Sequence, residues 1–257
     1  MALTTFLGGV GASVIESFCT KGIENLWANK NHLSLYGKTL FGKYKNERIR
    51  FSISYLFRIK IPATNSYLLV LNRRIPNQLQ PVGGVYKKYG DDKLFEAWEY
   101  QPDKKSNGLG IDSISDNDLR FFVKGKYAIK VIKWFEAGKE RECNADREFV
   151  EELIETNILN KNVFNKIQYK QIKREASHLK WSEFHKCYEV LIYDIFEFLP
   201  TLEQKEALVQ LSKEEFDLSK GYAIVDCEEI EQLRLMKNAV QVAKIGEHTK
   251  LIINEKH

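Results

Sequence analysis

The sequence predicts an α+β fold in which a mixed sheet lies between helices. Three observations favour this class: an alternating apolar segment over 48–61, further strand-like segments on both sides of a helical run over 147–155, and a helical pattern near the carboxyl end. The order along the chain is strands, helix, strands, helix, and no internal repeat is present. This order is typical of an α+β protein.

Residues 48–61 alternate between apolar and polar side chains, which predicts one long, half-buried strand. A turn over 62–66 precedes the continuous apolar run 67–71, which suits a central strand. Residues 79–87 predict a third strand that contains Gly83 and Gly84. Glycine has no side chain, so these two positions allow close approach of a neighbour or a ligand.

The middle of the chain departs from simple alternation. Residues 101–118 are rich in Asp, Ser, Asn, Gly and Lys and predict a surface loop, followed by a short strand over 119–124. Helical spacing over 128–135 ends at Gly138, a typical helix stop. The segment 90–146 is therefore interpreted as a long insert before the helix of 147–155.

The last third of the chain returns to strands. Residues 165–176 and 188–198 predict a hairpin whose second strand ends at Pro200. Weakly helical residues 204–211 precede a short strand over 222–225, and 228–236 predict a final amphipathic helix.

The run over 147–155 is unusual because a helix would gather Glu148, Glu151, Glu152 and Glu155 on one face, where no basic residue is expected. Like charges three or four positions apart each cost roughly 0.2–0.5 kcal/mol. Such a face is either simply solvated or binds a cation, and carboxylates at this density suit Mg²⁺ or Mn²⁺. The opposite face is apolar, so the helix is expected to lie on a core with its acidic side toward a cleft.

Composition describes an ordinary globular domain: 257 residues, 44% hydrophobic, 29% charged and a net charge of +4. This charge is too small to indicate nucleic-acid binding, although 21–60 holds nine basic residues against two acidic ones and could receive an anionic ligand. The four cysteines have no paired spacing, which argues against a zinc site or a disulfide framework. A reduced cytoplasmic protein is expected.

The amino-terminal segment predicts a short helix, because apolar residues follow helical spacing from Leu3 to Phe18. Its uncharged stretch is shorter than the roughly 20 residues that span a bilayer, so no transmembrane span is expected. The helix could pack on the domain, on a second protomer in a homo-oligomer, or peripherally on the inner membrane. We divide the chain into an amino-terminal helix and basic linker over 1–46 and a main domain over 47–257.

The double glycine followed by Arg147-Glu148-Phe149-Val150-Glu151-Glu152 resembles the Nudix hydrolase family. The family's box reads Gly, five residues, Glu, seven residues, then Arg-Glu-hydrophobic-any-Glu-Glu-any-Gly. Its second half matches here. Counting from Gly84 places Gly90 at the first Glu, and Ile154 replaces the final Gly. The strand and helix order corresponds to that family from about Arg48 to Met236.

The long insert and the run 133–142 before Arg147 are similar to one subgroup, the SMODS-associated Nudix domains. Members accompany bacterial cyclic-oligonucleotide synthases in antiphage signalling operons of the CBASS type. This resemblance implies a nucleotide ligand and a functional link to such a synthase.

The resemblance also implies site residues. Glu148, Glu151 and Glu152 would hold the metal, and Arg147 would fix the loop before the helix. Candidates for contact with the substrate and its remaining phosphates are Arg50, Arg58, Arg73, Arg74, Gly83, Gly84 and Lys87. Tyr55, Tyr86 and Trp98 are candidates to stack on a base, against the alternative that they are core residues.

Two functions remain open at this point. Retention of Glu148, Glu151 and Glu152 favours metal-dependent hydrolysis of a nucleoside diphosphate linked to another group. Loss of the box's first Glu and final Gly favours a non-catalytic module that binds a cyclic or other nucleotide messenger. An interaction scaffold is the least favoured class, because it would leave the acidic face without a purpose.

Overall fold

The computed structural model of the protein describes residues 16–20, 34, 35, 37–89, 93–103 and 117–253. Its strands are β1 Glu16–Thr20, β2 Arg48–Arg58, β3 Ser66–Leu71, β4 Gln78–Gln80, β5 Gly83–Val85, β6 Gln101–Pro102, β7 Arg120–Lys124, β8 Lys166–Ala176, β9 Lys180–Ser182, β10 Cys187–Phe198, β11 Tyr222–Asp226, β12 Arg234–Lys237 and β13 Val240–Ile245. Its α-helices are α1 Lys93–Glu96, α2 Ala128–Ala137, α3 Asp146–Phe149, α4 Leu202–Lys213, α5 Cys227–Gln232 and α6 Lys250–Ile253. A π-helical turn, Val150–Ile154, continues α3.

The strands form two mixed sheets, which confirms the predicted α+β class. The first sheet has the order β1-β8-β10-β2-β7-β6, with β5 also paired to β2 and β9 to β10. The second sheet has the order β11-β3-β4-β13-β12. Parallel pairing of β10 with β2 beside antiparallel pairing of β10 with β8 makes the first sheet mixed.

Strand β2 lies in the middle of the first sheet, as its alternating pattern predicted. Every second residue from Ile49 to Ile61 is at most 1% exposed. The other face is less open than the sequence indicated, because Arg50 and Ser54 are buried too. The expectation of a half-buried strand was wrong in this respect, since the second sheet packs on that face at Leu56 and Arg50 pairs with buried carboxylates.

Several other predictions are confirmed. Strands β8 and β10 form the expected antiparallel hairpin, although β9 also pairs with β10 within the connection. Helix α2 ends at Gly138, whose left-handed φ of 66° suits glycine. Helix α4 begins with a capping box between Thr201 and Gln204.

Two predicted elements differ in the structure. The third strand is divided, because β4 belongs to the second sheet and β5 pairs with β2 in the first. The final helix stops at Gln232, since Leu233 adopts a left-handed φ of 56°. The residues that follow form β12 and pair with β13, a strand absent from the prediction.

The amino-terminal prediction is overturned in part. Residues Glu16–Thr20 form strand β1, parallel to β8, so the expected helix does not include Phe18. The rest of that helix, and most of the predicted surface loop of 101–118, lies outside the described residues. Within the residues that are described, no helix is long and apolar enough to cross a membrane.

Two apolar clusters position the site. The larger cluster joins the odd-numbered face of β2 to α2 and to α3 with its π turn, and its aromatic centre includes Phe57, Phe149 and Tyr169. The smaller cluster joins Leu56 and Ile195 of the first sheet to the second sheet, α5 and α6. The first sheet is therefore covered on both faces, with the glutamate-rich helix on one of them.

Candidate functional site

We call the segment Asp146–Ile154, α3 with its π turn, the acidic helix. The predicted apolar side is confirmed: Phe149, Val150, Leu153 and Ile154 are at most 6% exposed. The Phe149 ring meets the edge of Phe57 at a centroid distance of 5.4 Å. The second half of the segment winds as a π-helix, a widened turn often found at functional sites. This anchoring turns the glutamates toward β5.

The double glycine of β5 allows the acidic helix to approach the sheet. The Gly83 amide donates a hydrogen bond to Glu152 Oε2 at 2.9 Å. A Cβ at Gly84 would lie 1.9 Å from Glu148 Oε1, and one at Gly83 would lie 2.2 Å from the Tyr55 carbonyl oxygen. Gly83 is required by the close backbone of β2, whereas Gly84 leaves room for the Glu148 carboxylate.

Arg147 is the central cation of the site. Its Nη1 bonds Glu148 Oε1 at 2.5 Å and lies 3.8 Å from Glu151 Oε1. Its Nη2 donates to the Val85 carbonyl oxygen at 2.9 Å. The expectation that no basic residue shares the acidic face was therefore wrong, because the arginine that starts the run folds back over it.

Glu142 is a site residue that spacing in the sequence did not reveal. Its Oε1 accepts from Arg147 Nε at 3.2 Å, and its Oε2 lies 3.3 Å from Arg147 Nη2. The same Oε2 accepts from the Lys87 amide at 3.1 Å. Burial raises the pKa of Glu142, and Arg147 opposes this shift. Glu142 lies near the end of the 90–146 insert, where a count from the glycines cannot find it.

The carboxylates of the acidic helix are crowded. Burial first, and then the Glu148 charge, raise the pKa of Glu152 to about 8, although the Gly83 amide and Arg73 oppose the shift. Burial and Glu148 also raise the pKa of Glu151. Negative charge in this cluster thus exceeds the compensation from Arg147 and Arg73, and an added cation would stabilise the ionised forms.

These carboxylates fit a hard divalent cation by their chemistry. Within the described residues, no three acidic, histidine or cysteine side chains converge as a ready-made metal group. Glu148 is held by Arg147, Glu151 contacts Arg73, and Glu152 accepts from Gly83. Burial and the Glu148 charge raise the pKa of Glu151 and Glu152, and a divalent cation would offset this destabilisation of their ionised forms.

Some of the predicted phosphate-binding residues lie at this site. Arg73 Nη2 donates to the Glu151 carbonyl oxygen at 2.8 Å, and Arg74 follows it in the same loop. Lys87 joins the cluster through its amide, while its ammonium group bonds Asp118 at 2.6 Å.

Other predicted residues lie elsewhere. Arg50 bonds Asp103 at 2.7 Å and Glu189 at 3.3 Å, and Arg58 bonds Glu197 at 2.9 Å. The contacts described for these two arginines join strands of the first sheet and do not involve the acidic helix. A role for Arg50 and Arg58 in substrate binding stays a prediction, and their described contacts do not connect them to the glutamate cluster.

The three aromatic residues considered for base stacking are buried in the core. Tyr55, Tyr86 and Trp98 are 0%, 1% and 6% exposed. Tyr55 is notable because its hydroxyl has no hydrogen-bond partner among the described residues. Burial, followed by the Glu142 charge, raises the pKa of Tyr55, and Arg147 opposes this. It forms the buried floor beneath the acidic helix.

A groove of about 850 Å³ lies away from this cluster. It is lined by the turn 61–65, by 197–200, and by Lys60 and Lys205. Glu197, the partner of Arg58, lines this groove. The glutamates of the acidic helix, the double glycine and Arg147 do not. The carboxylate chemistry therefore identifies the candidate site better than cavity volume does.

One protein family matches the part of the chain that carries this site. The family described as the SMODS-associated NUDIX domain matches residues 48–253. The chain belongs to this family. The SMODS-associated NUDIX domain thus spans every described strand of the two sheets except β1, and it contains the acidic helix, the double glycine and Glu142. It is a Nudix-type domain of antiphage-associated systems. No curated protein and no solved structure matches the chain.

Proposed function

We propose that this domain is a metal-dependent hydrolase that cleaves a nucleoside diphosphate linked to another group. The observation that carries the proposal is the placement of Glu148 and Glu152 against the double glycine, with Glu151 beside them. A structural helix gains nothing from burying mutually repelling carboxylates, whereas a cation site requires them.

Glu148, Glu151 and Glu152 would hold Mg²⁺ or Mn²⁺. When bound, the ion supplies charge stabilisation at a pyrophosphate and lowers the pKa of a water. The chain's own residues fix the carboxylates: the Gly83 amide holds Glu152, and Arg147 holds Glu148 while tied to Glu142 and Val85. Arg73, beside Glu151, is the nearest predicted phosphate ligand.

The second candidate is a sensor that binds a cyclic or other nucleotide messenger without cleaving it. The observation that favours it is the engagement of Glu148 by Arg147, which leaves the three carboxylates without a preassembled metal group in the described part of the chain. In both cases we propose a cytoplasmic protein that works beside a cyclic-oligonucleotide synthase. Oligomerisation, or attachment to the inner membrane surface, would use the segment 1–46.

The test compares wild-type protein with the double variant Glu151→Gln, Glu152→Gln. Each is incubated with Mg²⁺ and a panel of nucleoside diphosphate derivatives and cyclic oligonucleotides, and products are separated by chromatography. Glu155→Gln is the matched control, because Glu155 is an exposed member of the same run.

Turnover that requires Mg²⁺, is lost in the double variant and persists in the control supports the hydrolase. Tight binding of an intact ligand that is unchanged by Mg²⁺ and by the double substitution would overturn it and favour the sensor.

A further inference from the structure

The even-numbered face of β2 carries a polar cluster on the opposite side of the sheet from the acidic helix. The strand pairing places Ser52 between Leu191 of β10 and Arg120 of β7, and Ser54 beside Tyr193. We call Ser52, Ser54, Arg120 and Tyr193 the polar sheet face. A sheet centre normally carries apolar side chains, so this cluster requires an explanation.

The second sheet covers only one end of this face. Leu56 and Ile195, one step along the strands, belong to the smaller apolar cluster, and Tyr193 packs at its border. The Tyr193 ring stacks parallel to His248 at a centroid distance of 6.1 Å. Beyond Tyr193, Ser52 and Arg120 remain half-buried rather than packed into either core.

Arg120 differs from its neighbour Arg50 in how its charge is compensated. Arg50 bonds two buried carboxylates, Asp103 and Glu189. Among the described residues, Arg120 has one side-chain partner, Asp118, at a long 3.5 Å. The other oxygen of Asp118 bonds Lys87 at 2.6 Å, so two cations share this carboxylate. A guanidinium carries five N–H donors, and the contact with Asp118 uses one of those on Arg120.

The electrostatic surroundings support the same conclusion. Burial lowers the pKa of Arg120; Asp118 opposes this, and Arg74 and Arg50 lower it further. Arg74 and Arg50 thus both act on Arg120, and Asp118 and Asp103 oppose them. An anion would relieve the repulsion among these arginines, and a planar guanidinium suits phosphate because it can donate two parallel hydrogen bonds.

The loop after β3 links this face to the acidic helix. Arg73 contacts Glu151, whereas the next residue, Arg74, acts on Arg120.

We propose that the polar sheet face is an anion-binding subsite in which Arg120 is the principal donor to a phosphate group, assisted by the hydroxyls of Ser52, Ser54 and Tyr193. The inference rests on the proposed function for its ligand, a nucleotide. It extends that function, because the ligand then carries a phosphate here that is separate from the pyrophosphate at the acidic helix. Phosphate at this face is bound without a metal.

The test measures binding by calorimetry in EDTA, with inorganic phosphate, pyrophosphate, ADP and adenosine as probes. We expect wild type to bind the phosphorylated probes in preference to adenosine. Arg120→Ala should weaken this binding about tenfold to a hundredfold, the typical effect of losing a charge-assisted pair. Arg120→Lys should weaken it less, because the charge remains while the bidentate geometry is lost.

Arg234→Ala is the matched control, since Arg234 is an exposed arginine of the second sheet that bonds Gln232. A second readout is the Nε–H signal of Arg120 in protein labelled with ¹⁵N-arginine, which should shift when pyrophosphate is added. A purely structural Arg120 would leave this signal unmoved. Thermal melting of each variant, with Arg120→Lys as the least disruptive change, separates binding loss from misfolding.

The outcomes separate this subsite from the hydrolase proposal. Metal-free binding that needs Arg120 but survives Glu151→Gln, Glu152→Gln supports the subsite even if no substrate is cleaved. Affinity unchanged in Arg120→Ala, an unmoved Nε–H signal, or no metal-free binding of any phosphorylated probe by wild type would overturn the subsite, and Mg²⁺-dependent turnover would remain a separate question.

Discussion

The carboxylate of Glu152 accepts a hydrogen bond from the amide of Gly83, 69 positions earlier in the chain, at 2.9 Å. This contact joins the acidic helix to the strand with the double glycine and buries a carboxylate whose pKa is raised to about 8. Substitutions on either side of this contact, at the double glycine or at Glu152, therefore test the site.

Gly84→Ala should distort the site more than it changes the fold. The new Cβ would lie 1.9 Å from Glu148 Oε1, so that carboxylate must move. We expect Mg²⁺ affinity, measured by calorimetry, to fall at least about tenfold, equivalent to roughly 1.4 kcal/mol. Gly37→Ala is the control, because its Cβ would meet nothing within 4 Å. Equal Mg²⁺ affinities in wild type and Gly84→Ala would argue against Glu148 as a ligand.

Glu152→Gln should make the metal-free protein more stable. The amide oxygen can still accept from Gly83, while the cost of burying a carboxylate and its repulsion from Glu148 disappear. Thermal melting in EDTA should therefore show a higher Tm than wild type. Adding Mg²⁺ should raise the Tm of wild type and of Glu155→Gln, but not of Glu152→Gln. A variant that melts lower in EDTA and still responds to Mg²⁺ would contradict this role.

Arg147 and Glu142 should be energetically coupled. A double-mutant cycle with Arg147→Met and Glu142→Gln, read by urea unfolding, should give an interaction energy of about 1–3 kcal/mol, since both groups are poorly exposed and doubly bonded. The exposed pair Glu183 and Lys186 provides the comparison, with about 0–0.5 kcal/mol expected. Additive effects at Arg147 and Glu142 would show that the contact contributes nothing to holding the loop.

Stability should fall in mild acid because of His248. Burial lowers the pKa of this histidine, with Glu247 opposing, so the folded protein keeps it neutral while the unfolded chain protonates it near 6.5. Its contribution is fully present above pH 6.5 and is lost as the pH falls below that value. Urea unfolding between pH 5 and pH 7.5 should show a weaker pH dependence in His248→Gln.

His178→Gln provides the comparison for that series, because His178 is exposed. If His178→Gln and His248→Gln flatten the pH dependence equally, burial of His248 is not its cause.

Local patterns predicted the elements whose causes are local. Alternation identified β2, Gly138 identified the end of α2, and apolar spacing identified the buried side of the acidic helix. The missed hairpin of β12 and β13 also has a local signal, since Asn238 and Ala239 adopt φ of 49° and 63° at its two-residue turn. Asparagine tolerates this conformation, and Asn238 lies just beyond the predicted helix of 228–236.

The rest of the site depends on contacts between distant segments. Glu142 accepts from the Lys87 amide only because the loop after α2 returns to the end of β5, and no spacing rule predicts that return. Arg50 looked like a free cation in the sequence but is occupied by Asp103 and Glu189, while Arg120 was not singled out. Which arginine is available is decided by the tertiary distribution of carboxylates, which composition alone cannot give.

The insert that separates the two halves of the box has an energetic consequence. Gly84 and Arg147 are 63 positions apart here, where the Nudix box separates its Gly and Arg by 14. The entropy of closing a loop grows only with the logarithm of its length, so this extension costs about 1.3 kcal/mol. Paired side chains at Asp103 and Asp118, on either side of 104–116, are of the right size to offset it. A domain of this kind can thus lengthen its chain between the halves of its site at little thermodynamic expense, leaving the length of that segment open to evolutionary change.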